Sequence, residues 1–283
     1  MTLYTYDRRK SPILPLSDGD YKFLHHSNNR KQRIIEYELQ SFSLGKLKIP
    51  SGQLIIADPF FNLRRTGQLM INCPKGEFEV FQTLAIPKNN EMENPECPWV
   101  SYLSIVFDKD KYEMRKLCQN KEKEKGLDPS LKRHLINRLS LSSEGTIDDD
   151  EEFDLKEVFP GLNVQSGSCL LVDKVQFEAG MPSEERGSWY ATLFEHGNHE
   201  SWFSFMDNPE HLREGAANFE LPLKPESYLG TGNLILSQTG KGDGRYVVFA
   251  ELNADSTDVN NPLAYHIDFE VIPFDPINPA LKK

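Results

Sequence analysis

A mainly β protein of the α+β class, with two related antiparallel β units joined by a helical, charged insertion, is the fold predicted by these 283 residues. Three observations carry the prediction. Apolar and polar residues alternate with period two in several short stretches, the mark of a half-buried strand. A Ser-Gly, apolar strand, Asp pattern occurs twice. Between its two copies lies a stretch with helical character and strongly separated charge.

Residues 1–31 are polar and mixed and read as a loosely packed lead-in. The β pattern begins at 33–42, where Ile35, Tyr37 and Leu39 alternate with Glu36, Glu38 and Gln40. Residues 49–61 read as a Pro-Ser-Gly turn, an apolar strand and an Asp-Pro stop. Lys75-Gly76 turns into a strand over 77–86, and 99–107 (WVSYLSIVF) is rich in the β-branched and aromatic residues that strands favour. Two helices are predicted within 109–141, the second following Asp128-Pro129. Residues 109–138 hold ten basic and five acidic residues, whereas 144–157 hold eight acidic residues and one lysine. After Pro160 the β pattern returns, with strands predicted at 168–177, 233–238, 245–252 and 263–272. The predicted units are therefore 1–108, a helical and acidic connector at 109–159, and 160–283.

Ser51-Gly52 through Asp58 resembles Ser166-Gly167 through Asp173. Farther on, Gly76-x-Phe78-x-Val80-Phe81 resembles Gly244-x-Tyr246-x-Val248-Phe249. This spacing suggests an internal duplication, with the second unit enlarged by 178–232, rather than a solenoid. Gly52, Gly76, Gly167 and Gly244 are assigned to turns, where positive φ favours glycine. Asp243-Gly244 is expected to close a β-hairpin. Asp58 and Asp173, at strand ends, are expected to accept backbone N–H bonds.

The net charge of −11 disfavours contact with nucleic acid or anionic lipid. No apolar run reaches the roughly 20 residues of a membrane span, and no signal peptide is read at the start. Four separated cysteines without a CxxC pair fit reduced thiols in the cytoplasm.

The most ligand-like cluster is His196, His199 and His211 beside Glu195 and Glu200. Its spacing matches no strong zinc motif, but a metal-dependent hydrolase built on it is the alternative function. Gly240 to Gly244 lacks the P-loop spacing, and residues 148–152 (DDDEE) lack the alternation and glycine of an EF-hand. His266 and Asp268 fall on one strand face, with no nucleophile elbow to serve. No cofactor is expected. Trp189 and Trp202, with Glu184, Glu185, Glu195 and Glu200, form the expected partner-binding set. Residues 178–226 hold ten acidic and three basic residues, and aromatic anchors ringed by acids suit a basic protein.

Ser237, Gly240, Gly242-Asp243-Gly244, Tyr246, Val248 and then Ile267-Asp268-Phe269 resemble the "SGxGDGxYPV…DF" ending of the bacterial domain-of-unknown-function family 4241. Pro50-Ser51-Gly52, Ala57-Asp58-Pro59 and Gly76-x-Phe78-x-Val80 resemble its "SGxIxxxDP" and "GxYPV" segments. Val247 stands where that pattern has proline. The resemblance spans about residues 45–272. It implies no established catalytic activity. It implies a cytosolic immunity protein of a bacterial toxin–immunity pair, encoded near a secreted toxin. The expected function is thus non-enzymatic: neutralising a basic toxin by occluding its active site.

Overall fold

The computed structural model describes residues 3–5, 16, 18–26, 32–60, 68–88, 98–110, 136–139, 161–180, 201–221, 232–240, 242–251 and 260–272. The strands of the first unit are β1 (Leu3–Thr5), β2 (Gly19–His26), β3 (Gln32–Ile49), β4 (Gln53–Ala57), β5 (Leu69–Asn72), β6 (Gly76–Pro87) and β7 (Trp99–Val106). Then come β8 (Ile136–Leu139), β9 (Leu162–Val164), β10 (Ser168–Asp173), α1 (Lys174–Gly180) and α2 (Trp202–Asp207). The chain continues with β11 (Ala216–Leu221), β12 (Gly232–Gln238), β13 (Gly244–Glu251) and β14 (Ala264–Asp268).

Two antiparallel sheets contain these strands. The larger runs β1-β8-β13-β14-β7-β6-β3-β2, with β9 also on β13; the smaller runs β11-β12-β10-β4-β5. The apolar residues decide how they stack. Leu47, Val80, Ile105 and Ile267 of the large sheet share one buried cluster with Leu54, Ile56, Leu171 and Ile235 of the small sheet. On its other face the small sheet packs Ile55, Leu170, Val172 and Leu236 against Phe177 of α1 and Trp202 and Met206 of α2. With both faces covered, β10 is buried at every position, whereas the edge strand β5 alternates buried and exposed.

The strand order is close to a palindrome about the pairs β7/β14 and β4/β10, and the registers follow it. Ile49 faces Gly76 and Leu47 faces Phe78; in the second unit Val164 faces Gly244 and Leu162 faces Tyr246. Cys73 N–H donates to the Gly52 carbonyl at 2.9 Å, and Thr239 N–H donates to the Gly167 carbonyl at 2.9 Å. Both glycines sit in the left-handed region, at φ 77° and 63°, where a side chain would be strained. Phe78 meets Phe107 edge-on at 4.9 Å, and Tyr246 meets Phe269 edge-on at 5.1 Å. Both sheets draw strands from both units.

Five expectations are corrected. Strands β12 and β13 lie in different sheets, so 240–244 crosses between layers and does not close a hairpin. The positive φ of that crossing is at Gly242 (82°), not at Gly244. Strand 168–177 stops at Asp173, because the Asp173 Oδ1 accepts Val175 N–H and Gln176 N–H at 3.0 Å each and starts α1. Residues 136–139, expected to be helical, form β8 on β13, where pairing with a sheet edge overrides local propensity. The lead-in contains β2, paired along its whole length with β3. Among the described residues no helix is long and apolar enough to cross a membrane.

Candidate functional site

The crossing strands bring three chemically capable side chains together on the outer face of the large sheet. Ser104 (β7) and His266 (β14) are direct cross-strand partners at the centre of the palindrome. The Ser104 Oγ lies 2.9 Å from the His266 Nδ1, and the Glu251 Oε2 lies 2.8 Å from its Nε2. Serine, histidine and acid are the parts of an acyl-transfer relay. Here the chain is sealed: Ser104 and His266 are 0% exposed and Glu251 2%. Leu16, Phe81, Val106 and Ala264 pack together beside it on the same face. The Ser104 hydroxyl is thus closed to solvent. Asp268, two residues along β14 from His266 and likewise buried, accepts the Glu270 N–H at 2.8 Å.

Two further buried carboxylates tie the units to each other. Asp58, at the end of β4, accepts the N–H groups of Gln165 and Ser166 at 2.7 and 2.8 Å, and that of Phe60 at 2.7 Å. Asp173, at the end of β10, reciprocates by accepting from Ser51 N–H at 3.0 Å and from the Ser51 hydroxyl. The arrangement differs where the sequence dictates. Pro50 stands at the position of Gln165 and has no N–H, so the Ser51 hydroxyl takes that place. The buried Ser166 hydroxyl, no longer needed, finds no hydrogen-bond partner among the described residues. Asp243 accepts the Gly167 N–H at 3.1 Å and steadies the same corner.

The loop after α2 carries exposed charge. Ser201 caps α2 through Ser204 N–H at 3.1 Å, and the helix ends at Asp207. Gly215 N–H donates to the Met206 carbonyl at 2.8 Å, which closes a loop whose two ends carry Asp207 and Glu214. Burial, and then the Glu214 charge, push the Asp207 carboxyl above its ordinary range. Glu210, His211 and Leu212 are exposed on the loop. The His211 ring lies 4.7 Å from that of Phe205, which stacks on Phe219 at 5.6 Å. The Arg213 guanidinium lies 4.8 Å from the ring centre of Phe42, which is 39% exposed, and burial lowers its pKa.

The sequence-predicted site residues fare differently. Trp202 is 4% exposed and tilts against Phe219 at 5.4 Å, so it is a core residue and not an interface anchor. Glu184, Glu185, Trp189, Glu195, His196, His199 and Glu200 lie outside the described residues, as does 148–152. His211 places its Nε2 3.2 Å from the Asn218 carbonyl. No group of three or more metal-ligating side chains occurs among the described residues. The thiols of Cys73 and Cys169 are buried, and burial pushes Cys73 up to about 12. Sequence reasoning missed Ser104–His266–Glu251 because its members come from three strands. It missed Asp207–Glu214 because no periodic pattern marks a loop neck.

The model of a family described as proteins of unknown function, DUF4241, matches residues 47–259. The chain belongs to the DUF4241 family. That span includes both aspartate cradles, the Asp207–Glu214 loop and Ser104 with Glu251; His266 lies just beyond it. No curated protein and no solved structure matches this DUF4241 chain.

Proposed function

We propose that this DUF4241 protein is a non-enzymatic cytoplasmic binding protein that neutralises a basic bacterial toxin by occluding its active site. The observation that carries this reading is the exposed loop after α2. Asp207 and Glu214 stand at its two ends, with Glu210 and Leu212 on its exposed side. The Glu214 charge adds to burial in raising the Asp207 carboxyl, and a lysine or arginine of the partner beside these acids relieves that cost. Half-buried Phe205 and Phe219 and exposed Phe42 and Leu212 supply apolar contact beside the charge. The net charge of −11 favours approach of a cationic partner.

Binding kinetics with the protein that co-purifies from the native host test this reading. Association is expected to slow as salt rises, because screening over about 8 Å weakens steering. The double change Glu210→Lys with Glu214→Lys is expected to slow association and flatten its salt dependence. Salt-indifferent association, unchanged by the double variant, refutes the docking face.

The two units descend, on this reading, from duplication of one β unit, with 109–159 inserted between them and 178–232 enlarging the second. The paired registers, the reciprocal aspartates and the matching edge-on aromatic pairs support it.

A further inference from the structure

We infer that the segments 1–120 and 121–283 form an intramolecular dimer that holds together without a covalent link between them. Neither segment owns a complete sheet. The large sheet is joined across the β7/β14 ladder, from Ala264↔Val106 to Asp268↔Tyr102, and the small sheet across β10/β4, from Leu170↔Ala57 to Asp173↔Leu54. Each segment alone would leave β4 or β10, and β7 or β14, with an open edge in the middle of an apolar face.

The polar contacts also cross the junction. Asp58 holds the backbone of Gln165 and Ser166, and Asp173 holds Ser51. Asn233 accepts the Lys48 N–H at 2.9 Å and donates to the Lys46 carbonyl at 2.7 Å. Asn218 donates to the Leu44 carbonyl at 2.8 Å, Gln82 donates to the Ser237 hydroxyl at 2.8 Å, and the Tyr265 hydroxyl donates to the Asn72 carbonyl at 2.8 Å. Directional partners of this kind, at least partly buried throughout and fully buried at Gln82–Ser237, leave unsatisfied groups on both sides when the halves part, so separation is costly. The edges of each half therefore fit one partner, the other half of this sequence.

The test expresses the whole chain as two pieces in one cell, 1–120 tagged and 121–283 untagged. The expected result is a soluble one-to-one complex eluting at the mass of the intact protein, 32.4 kDa. Asp173→Ala, in the 121–283 piece, is expected to raise the dissociation constant of this complex at least tenfold. Glu220→Ala, at an exposed position, should leave it unchanged. Pieces that are recovered apart or insoluble overturn the inference, as does an Asp173→Ala complex that dissociates no faster. A protease site inserted between residues 120 and 121 makes the same cut in the already folded chain, and halves that part after that cut also overturn it.

Discussion

Removing the Asp173 carboxylate by Asp173→Ala strips a partner from Ser51 N–H, Val175 N–H, Gln176 N–H and the Ser51 hydroxyl at once. Asp173 is fully buried, so the freed groups are not rehydrated without opening the corner. An unsatisfied buried donor costs about 1–3 kcal/mol, and bonds to a charged acceptor fall at the upper end. Because the Ser51 and Val175 contacts are only partly buried, three amides at the lower half of that range give about 3–6 kcal/mol. Asp58→Ala strands Phe60, Gln165 and Ser166 N–H groups and should cost a similar amount. In a chain of this size each kcal/mol lowers Tm by roughly 2–4 °C, so each variant should melt on the order of 10 °C lower. Urea denaturation followed by tryptophan fluorescence and by circular dichroism measures both. The internal control is the serine pair. Ser51→Ala should cost about 1.5–3 kcal/mol because its hydroxyl bonds a carboxylate, whereas Ser166→Ala should cost well under about 1 kcal/mol. If Asp173→Ala and Asp58→Ala each lose less than about 1 kcal/mol, or the serines rank in reverse order, the cradles do not hold the units as described.

Further outcomes follow from other sites. A Cβ on Gly240 would stand 2.1 Å from the Val100 carbonyl oxygen and 2.2 Å from the Val271 Cγ2, so Gly240→Ala should cost about 3 kcal/mol or more in the same denaturation assay. His266→Phe leaves Glu251 buried without its imidazole and should destabilise by about 3–5 kcal/mol, while Ser104→Ala should lose only about 1 kcal/mol. A raised carboxyl pKa means that the fold favours neutral Asp207, so this stabilisation is complete at low pH and is lost as pH rises through the folded value. Glu214→Gln should move the Asp207 midpoint down toward 3.8, as followed by carboxyl-carbon NMR titration. Cys73, with its thiol pushed up to about 12, should resist maleimide at pH 8 in the native protein and react fully in denaturant, as read by peptide mass spectrometry.

Local chemistry wrote much of the fold into the sequence. Period-two alternation marks β3 and β6, and the apolar run of 99–107 marks β7, because side-chain direction along a strand depends only on its neighbours. The Ser-Gly and Asp positions at 51–58 and 166–173 are legible as turns and strand ends for the same reason. What each aspartate bonds to was not legible, since Asp58 caps a turn more than 100 residues away. The same limit hid the relation of β12 to β13. Gly-Lys-Gly-Asp-Gly encodes a change of direction, but a hairpin and a crossing between sheets use the same glycine freedom. The sheet that receives β13 decides between them. Trp202 shows the converse: an aromatic beside acids reads as an anchor, yet the small sheet needs a lid and takes the ring into its core. The sequence by itself determined strand content, the duplicated pattern and the acidic balance. Only the tertiary structure decided which strands meet across the β7/β14 and β4/β10 ladders, and with them the Ser104–His266–Glu251 chain, because those groups become neighbours only when distant strands pair and bury them.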